Sequence, residues 1–578
     1  MSDSALGPVT IFGPDFPFAY DDWLRHPAGL ATIPESAHGA TVAIVGAGLA
    51  GMVAAYELME IGLRPVVYEA ERIGGRLRSH QFEGTDGIVA ELGGMRFPVS
   101  GTSFFHYASR LGLSSAPFPN PLTEAAGSTV IDIAGQTFQG STLDELPPEF
   151  TEVARAWEEA LEEIGFTALQ DAIRARDAQT LKRLWDELVP VWDGRTFYDF
   201  ITTSAAFSKL TFRHREMFGL VGFGTGGWDS DFPNSMLEIL RVVLTNCDTD
   251  QQLILGGVEQ LPRGLWTLPV TERSPWPAGT TLASLHGGVP RPGVAAIDRG
   301  DGARGDGARG DGAHLDAAHL DGARGDGGAL IVRDRWGTSR THDAVLATCQ
   351  SWLLTTQISC DESLFSHDLW MAFDRTRYMQ ASKTFVMVDR PFWKDINPAT
   401  GRPLMGMTLT DRLTRGTYLF DNGPGRPAVI CLTYSWMSDA LKMLPYDVNQ
   451  RVKLTLDALG KIYPGVDIAS HIVGDPVTIS WEDDPNFLGA FKGALPGHYR
   501  YNHRMYHHFM QQGLPPAERG IFIAGDDVSF TPAWAEGAVQ TALNAVWGIA
   551  AHFGGATHPE NPGPGDVFDQ LAPIDLGE

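Results

Sequence analysis

The sequence predicts an α/β protein: a parallel sheet gathered from separate pieces of chain, joined to a mixed-sheet domain and a helical subdomain. Three observations predict it. Thr41-Val-Ala-Ile-Val-Gly-Ala-Gly-Leu-Ala-Gly51 runs from a β-branched strand into Gly46, Gly48 and Gly51, and Met52 to Glu60 continue with helical character. Two more short apolar runs, Asp343–Thr348 and Gly520–Asp526, read as strands of the same sheet far along the chain. Between these pieces the pattern turns helical from Leu143 to Leu188, and strands and helices mix over 380–490.

Taken in order, residues 1–40 carry Phe16-Pro-Phe-Ala-Tyr20 and read as an extended arm packed on the body. Residues 41–140 form the first piece of the nucleotide-binding domain, and 141–250 a helical, substrate-side piece interrupted by the glycine cluster Gly222–Gly227. Residues 251–350 form its second piece and alternate strands with turns over 253–298. Within it, 301–328 repeats Asp-Gly-Ala-Arg-Gly, a composition that cannot bury enough surface to fold; its strand-like flanks make it an enlarged hairpin tip. Its Arg-Gly-Asp triplets are better explained by repeat expansion than by adhesion. Residues 351–495 read as a substrate-binding domain, 496–560 as the third nucleotide-binding piece and 561–578 as a tail.

The glycine spacing has a physical reading. One glycine makes the tight turn, one lets backbone approach a pyrophosphate, and one permits close helix packing, with the helix N-terminus turned to the phosphates. A second strand, Pro65–Tyr68, ends in Glu69, about 20 residues on, where a carboxylate would hold a ribose hydroxyl pair. Then come Gly74-Gly75-Arg76, a loop able to lie flat on a diphosphate while a guanidinium pairs with it. These features together favour FAD over NAD. With Tyr68-Glu69-Ala70 they resemble the flavin amine oxidase superfamily, which includes monoamine, polyamine and L-amino acid oxidases.

That resemblance assigns further residues. Gly525-Asp526 leads through Pro532-Ala-Trp534-Ala535-Glu-Gly-Ala538 into a helix over Val539–Ala550. The resemblance implies that Gly525 and Asp526 touch the diphosphate and ribityl chain, and that the Trp534–Val539 turn, with Ala535, touches the isoalloxazine. No cysteine lies near this turn, so the FAD is expected to be noncovalent. Glu91-Leu-Gly-Gly94-Met95-Arg96-Phe-Pro98 matches the stretch in which amino-acid-oxidising members carry a carboxylate-binding arginine. Arg96 is the matching position, with an internal pairing to Glu91 or a phosphate as its alternative. Lys383 falls where the superfamily has a lysine linked through water to flavin N5, although a lysine at a strand edge is usually only solvated. Lys383, Arg96 and Trp534 are therefore the expected catalytic residues, and Gly94 and Met95 join the cofactor contacts. Tyr434, Trp436, Trp481, Phe223 and Trp228 are candidates for an aromatic wall. His498, His503, His507 and His508 lack ligand spacing and read as surface residues; no metal is expected.

Composition narrows the partners. Lys plus Arg total 44 against 70 Asp plus Glu, a net charge of −26, which disfavours nucleic acid and anionic membrane. No run reaches the roughly 18 apolar residues of a membrane span. Four scattered cysteines read as reduced thiols in a cytoplasmic protein, and a homodimer is expected.

The arm with Leu24-Arg-His-Pro-Ala-Gly29, the Gly-Gly-Met-Arg-Phe-Pro segment and the C-terminal run resemble most the bacterial tryptophan 2-monooxygenases and their L-amino-acid-oxidising relatives. Departures are the 301–328 repeat and Ala533 and Ala535, where relatives more often carry glycine and a larger apolar residue. The resemblance implies an aromatic or bulky L-amino acid bound by its carboxylate at Arg96, with hydride transfer from Cα to flavin N5 and O2 as acceptor. Retention of the imino acid then gives the amide one carbon shorter; its release gives a keto acid, ammonia and peroxide. An amine or polyamine oxidase and a non-catalytic FAD-binding protein are the other readings.

Overall fold

The computed structural model describes residues 6–221, 233–300 and 329–577. Strand Thr41–Val45 is flanked by Arg64–Glu69 on one side and Ala344–Ala347 on the other, all parallel, with Val42 opposite both Pro65 and Ala344. Arg291–Pro292 and Ile521–Ile523 complete a five-stranded parallel sheet drawn from four distant stretches. Thr41–Val45, Ala344–Ala347 and Ile521–Ile523 are buried apolar runs, and that is why they were visible in sequence, whereas the short edge strand Arg291–Pro292 carries no such pattern.

Helix Leu49–Glu60, with Gly48 as its N-cap, starts ahead of the expected Met52, and every residue in it is buried. It packs against Ala535–His552, itself buried from Glu536 to Ala550, so neither helix has the polar face of a surface helix.

A seven-stranded sheet forms the second layer, in the order Ile472–Ser480, Ala381–Val388, Ala428–Trp436, Gly416–Phe420, Met407–Thr410, Thr129–Ile133, Gln136–Gly140. The last two strands correct the reading of 41–140 as one nucleotide-binding piece. Thr129–Ile133 pairs in parallel with Met407–Thr410, a partner about 280 residues away that no local pattern announces. The helical subdomain contains Pro148–Glu162, Phe166–Ala175, Ala178–Trp192 and Met236–Leu244.

Other expectations need correction. The N-terminal arm packs on the body but includes a helix, Tyr20–Arg25, and Tyr20 donates from its hydroxyl to Asn544 at 2.7 Å. The 253–298 stretch holds helices Gln260–Thr267 and Leu282–His286, because Leu261, Leu265 and Trp266 fall on one buried helical face. His508 is buried, not a surface residue; its Nε2 faces the Ile521 carbonyl at 2.9 Å, and burial lowers its pKa to about 4. The segment after 560 is not a loose tail, since Asn561 and Phe568 are buried and Asp566 accepts from Trp547 Nε1. Val294–Arg299 and Leu330–Asp334 pair antiparallel up to Arg299 opposite Leu330; the repeat between them lies outside the described residues, as do Gly222–Gly227, Phe223 and Trp228.

Candidate active site

The carboxyl ends of the parallel strands open into a cavity of about 320 Å³ that continues under the seven-stranded sheet. Gly46, Gly48, Glu69, Gly75, Arg76, Gly94, Met95, Arg96, Lys383, Gly525, Asp526, Trp534 and Ala535 all line it. Residues nearly 490 positions apart thus share one wall.

Backbone packing at the phosphate end is as close as glycine allows. Gly46 has φ +110°, a value side chains rarely adopt, and turns the chain from strand to helix. A Cβ on Gly75, φ +58°, would stand 3.0 Å from Gly48 Cα, and one on Gly93 would stand 1.7 Å from the Arg76 carbonyl oxygen. The loops 46–48, 74–76 and 93–94 therefore form one flat cradle. Glu69, ending its strand, accepts from Ala47 N–H at 2.7 Å and from Glu71 N–H at 2.9 Å, which fixes its carboxylate at the cavity wall. Gln350, also lining it, is buried with an Oε1 that has no hydrogen-bond partner among the described residues, an acceptor a ligand donor would satisfy.

The other end is cationic and aromatic. The Arg96 guanidinium lies 5.5–5.7 Å from the ring centres of Phe118, Tyr418 and Tyr434 and donates to the Tyr418 hydroxyl at 3.2 Å. Glu91, weighed as its partner, accepts from Ser79 Oγ at 2.8 Å and Val258 N–H at 2.8 Å. Lys383 is 3% exposed and sits in an interior strand, not at a strand edge. Its Nζ donates to the carbonyls of Glu91 and Gly93 and stands 4.8 Å from the Tyr434 ring centre. Burial brings its ammonium down to about 8; Cys431 and Glu91 oppose that shift and Arg96 adds to it. Tyr434, Trp436 and Trp481 line the same space.

The family profile described as "Flavin containing amine oxidoreductase" matches residues 49–277 and 284–550. The chain belongs to that family. It is a flavin-dependent oxidoreductase. It is 30% identical over 556 residues to the tryptophan 2-monooxygenase of Pseudomonas savastanoi, covering 90% of this chain and 91% of that one. It is 26% identical to the flavin-dependent L-tryptophan oxidase RebO of Lentzea aerocolonigenes, over 89% of this chain and 98% of that one. Cyclohexylamine oxidase from Brevibacterium oxydans shares the fold, with TM-score 0.61 and 17% identity over 89% of this chain and the whole of that one.

In this flavin oxidoreductase, two residues expected at the cofactor do not line the cavity. Gly51 acts one layer back, where a Cβ would stand 2.1 Å from the Gly46 carbonyl oxygen, so it lets the helix close on the turn. Val539 is fully buried; one residue past Ala538, which does line the cavity, the helix has turned its side chain into the core. Arg76 does not stand free for a diphosphate. It forks onto both oxygens of Asp526 and donates to the Ala490 carbonyl at 3.1 Å. Burial alone would lower its pKa, but Asp526 and Asp527 outweigh that and raise it.

Sequence reasoning missed a buried charge cluster on the cavity wall. Arg241 pairs with Asp15 at 2.7 Å and with Glu238 at 2.8 Å, and Lys492 donates to the Asp527 carbonyl. Burial lowers Lys492 to about 8 and raises Glu238. Asp15 and Arg241 are 226 residues apart, and no local motif marks either.

Proposed function

We propose that this enzyme oxidises an L-amino acid with noncovalent FAD and O2, by the overall change of a tryptophan 2-monooxygenase: RCH(NH2)COOH + O2 → RCONH2 + CO2 + H2O. The observation that carries the reading is Arg96: a guanidinium framed by aromatic rings in the same cavity as the glycine cradle and the buried Lys383. An amine oxidase needs no such group, whereas a planar fork grips a carboxylate by two parallel bonds. The name of the Pseudomonas relative supports the same reaction.

The cradle of Gly46, Gly48, Gly75 and Gly93 would hold the diphosphate, Glu69 the ribose and Gly525 with Asp526 the chain beyond it. When bound, the flavin supplies a two-electron acceptor that passes electrons on to O2. Arg96 orients the substrate so that its Cα–H presents to that acceptor. Tyr434, Trp436 and Trp481 keep water from the reacting carbon. Lys383, tethered to the carbonyls of Glu91 and Gly93, keeps a cation in the cavity below about pH 8. The aromatic wall favours an aromatic or bulky side chain. A cytoplasmic homodimer completes the reading, and solution mass measures the dimer.

The deciding experiment is anaerobic flavin reduction by each L-amino acid and its decarboxylated amine, followed by the mass of the aerobic product. An aromatic amino acid is expected to reduce the flavin, its amine to fail, and the product to be the amide. Equal reduction by the amine would remove the carboxylate role of Arg96. A keto acid with peroxide would make the enzyme an L-amino acid oxidase.

A further inference from the structure

At the end of the cavity formed by helix Met236–Leu244 sits a buried amide only half used by the fold. Asn234 lines the cavity, is 5% exposed, and its Oδ1 has no hydrogen-bond partner among the described residues. Its Nδ2 faces the Met379 thioether at 3.6 Å, the sensible orientation, since a sulfur accepts and does not donate there. A buried amide oxygen left unpaired is costly, and within a cavity a ligand donor would satisfy it.

The surroundings hold this amide in place. Ser235 N–H donates to the Ala494 carbonyl at 2.8 Å, pinning the backbone beside it. A Cβ on Gly493 would stand 2.6 Å from Asn234 Nδ2 and 2.5 Å from Met379 Sδ. Gly493 has no positive φ, so space for this amide, not backbone conformation, is what calls for glycine. Met379 pairs with Phe491; the Phe491 ring lies 5.8 Å from Trp436, and Trp436 lies 5.3 Å from Tyr434, which stacks under Arg96. An aromatic row thus connects the guanidinium to a lone acceptor.

We propose that Asn234 reads the substrate side chain, its Oδ1 accepting a hydrogen bond from an N–H or O–H donor on the far edge of an aromatic L-amino acid. The inference rests on the amino-acid reading above and adds the substrate class: flat side chains carrying a donor, in preference to the same shape without one. A site that buries an acceptor rejects the donor-less analogue strongly, because the acceptor then stays unpaired.

The test compares L-tryptophan with 3-(benzothiophen-3-yl)-L-alanine, in which sulfur replaces the ring N–H, by anaerobic flavin reduction and kcat/KM. The wild-type enzyme is expected to favour tryptophan by at least about tenfold. In Asn234→Leu that ratio is expected to fall to within about threefold, through loss on tryptophan. Gly493→Ala, which pushes the amide aside without changing it, is expected to act in the same direction should the leucine variant lose its flavin. If wild type oxidises both compounds equally, the role of Asn234 is overturned while amino acid oxidation stands. A tryptophan preference that survives in a flavin-loaded Asn234→Leu also overturns it. If no aromatic amino acid reduces the flavin at all, both readings fail together.

Discussion

Arg96 gains its meaning from what frames it: three ring faces within 6 Å and a tyrosine hydroxyl hold the guanidinium in a fixed plane. Arg96→Met is expected to cost about 2–5 kcal/mol in kcat/KM for an amino acid, the range for truncating one member of a buried, hydrogen-bonded charge pair. Arg96→Lys is expected to recover only part, since an ammonium lacks the fork; steady-state kinetics on both variants measures this. Lys383 gives a test with a different readout. Its ammonium titrates near 8, so the cation is present below that pH and lost above it. Negative charge builds on dioxygen as it is reduced, and a nearby cation favours that step selectively. Stopped-flow is expected to show reoxidation of the enzyme slowing above about pH 8, and a slow, pH-flat reoxidation in Lys383→Met with reduction by substrate less affected. That Arg96 and Lys383 share one cavity was legible because each lies inside a short sequence motif. The Arg76–Asp526 pair and the Asp15–Arg241 pair were not, since their partners are 450 and 226 residues apart and only the folded sheet brings them together.

Among elements, four of the five strands of the parallel sheet were readable from apolar runs, Arg291–Pro292 being the exception, and the long helices from their periodicity or their glycine entry. Helix Gln260–Thr267 was not, because glycines and a proline around a short amphipathic turn imitate a loop. One contact between elements joins the C-terminal helix to helix Thr102–Arg110. Glu536, in the first turn of Ala535–His552, accepts from the N–H groups of Ser103 at 3.1 Å and Phe104 at 2.7 Å, and so caps helix Thr102–Arg110 from outside. Gly101 offers no side chain for that cap. Glu536→Ala is expected to lower unfolding stability by about 2–4 kcal/mol, since two buried N–H groups lose their acceptor. Denaturant unfolding measures the loss. Glu536→Gln, which keeps an acceptor oxygen, is expected to lose less than half as much.

For the molecule as a whole, burial of ionisable groups outweighs what the net charge of −26 suggests about pH. Burial raises the carboxyls of Glu57, Glu91, Asp248 and Glu536 to about 7. The folded state thus holds protons that the unfolded chain releases above its ordinary carboxylate range, and stability from these groups falls as pH rises through 7. Burial lowers the imidazoles of His106, His342, His498, His507 and His508 to about 4. Each stays neutral in the fold while the unfolded chain takes up a proton near 6.5, so their contribution is present above that value and is lost as pH falls toward 4. Below about pH 6 the five imidazoles outnumber the four carboxyls and stability rises with pH. Near neutrality the imidazole term is exhausted while the carboxyls are still losing protons, so the slope reverses. The apparent melting temperature is expected to peak between about pH 6 and 7 and to dip just above that peak. It is expected to turn up again above about pH 8, where Lys383 and Lys492, brought down to about 8 by burial, have lost protons that the unfolded chain still holds. Replacing Glu57 and Glu536 together by Gln is expected to flatten the dip and leave the acid fall in place. A wild-type melting temperature that climbs without a break from about pH 6 to about pH 8 would mean that these carboxyls do not hold their protons in the fold.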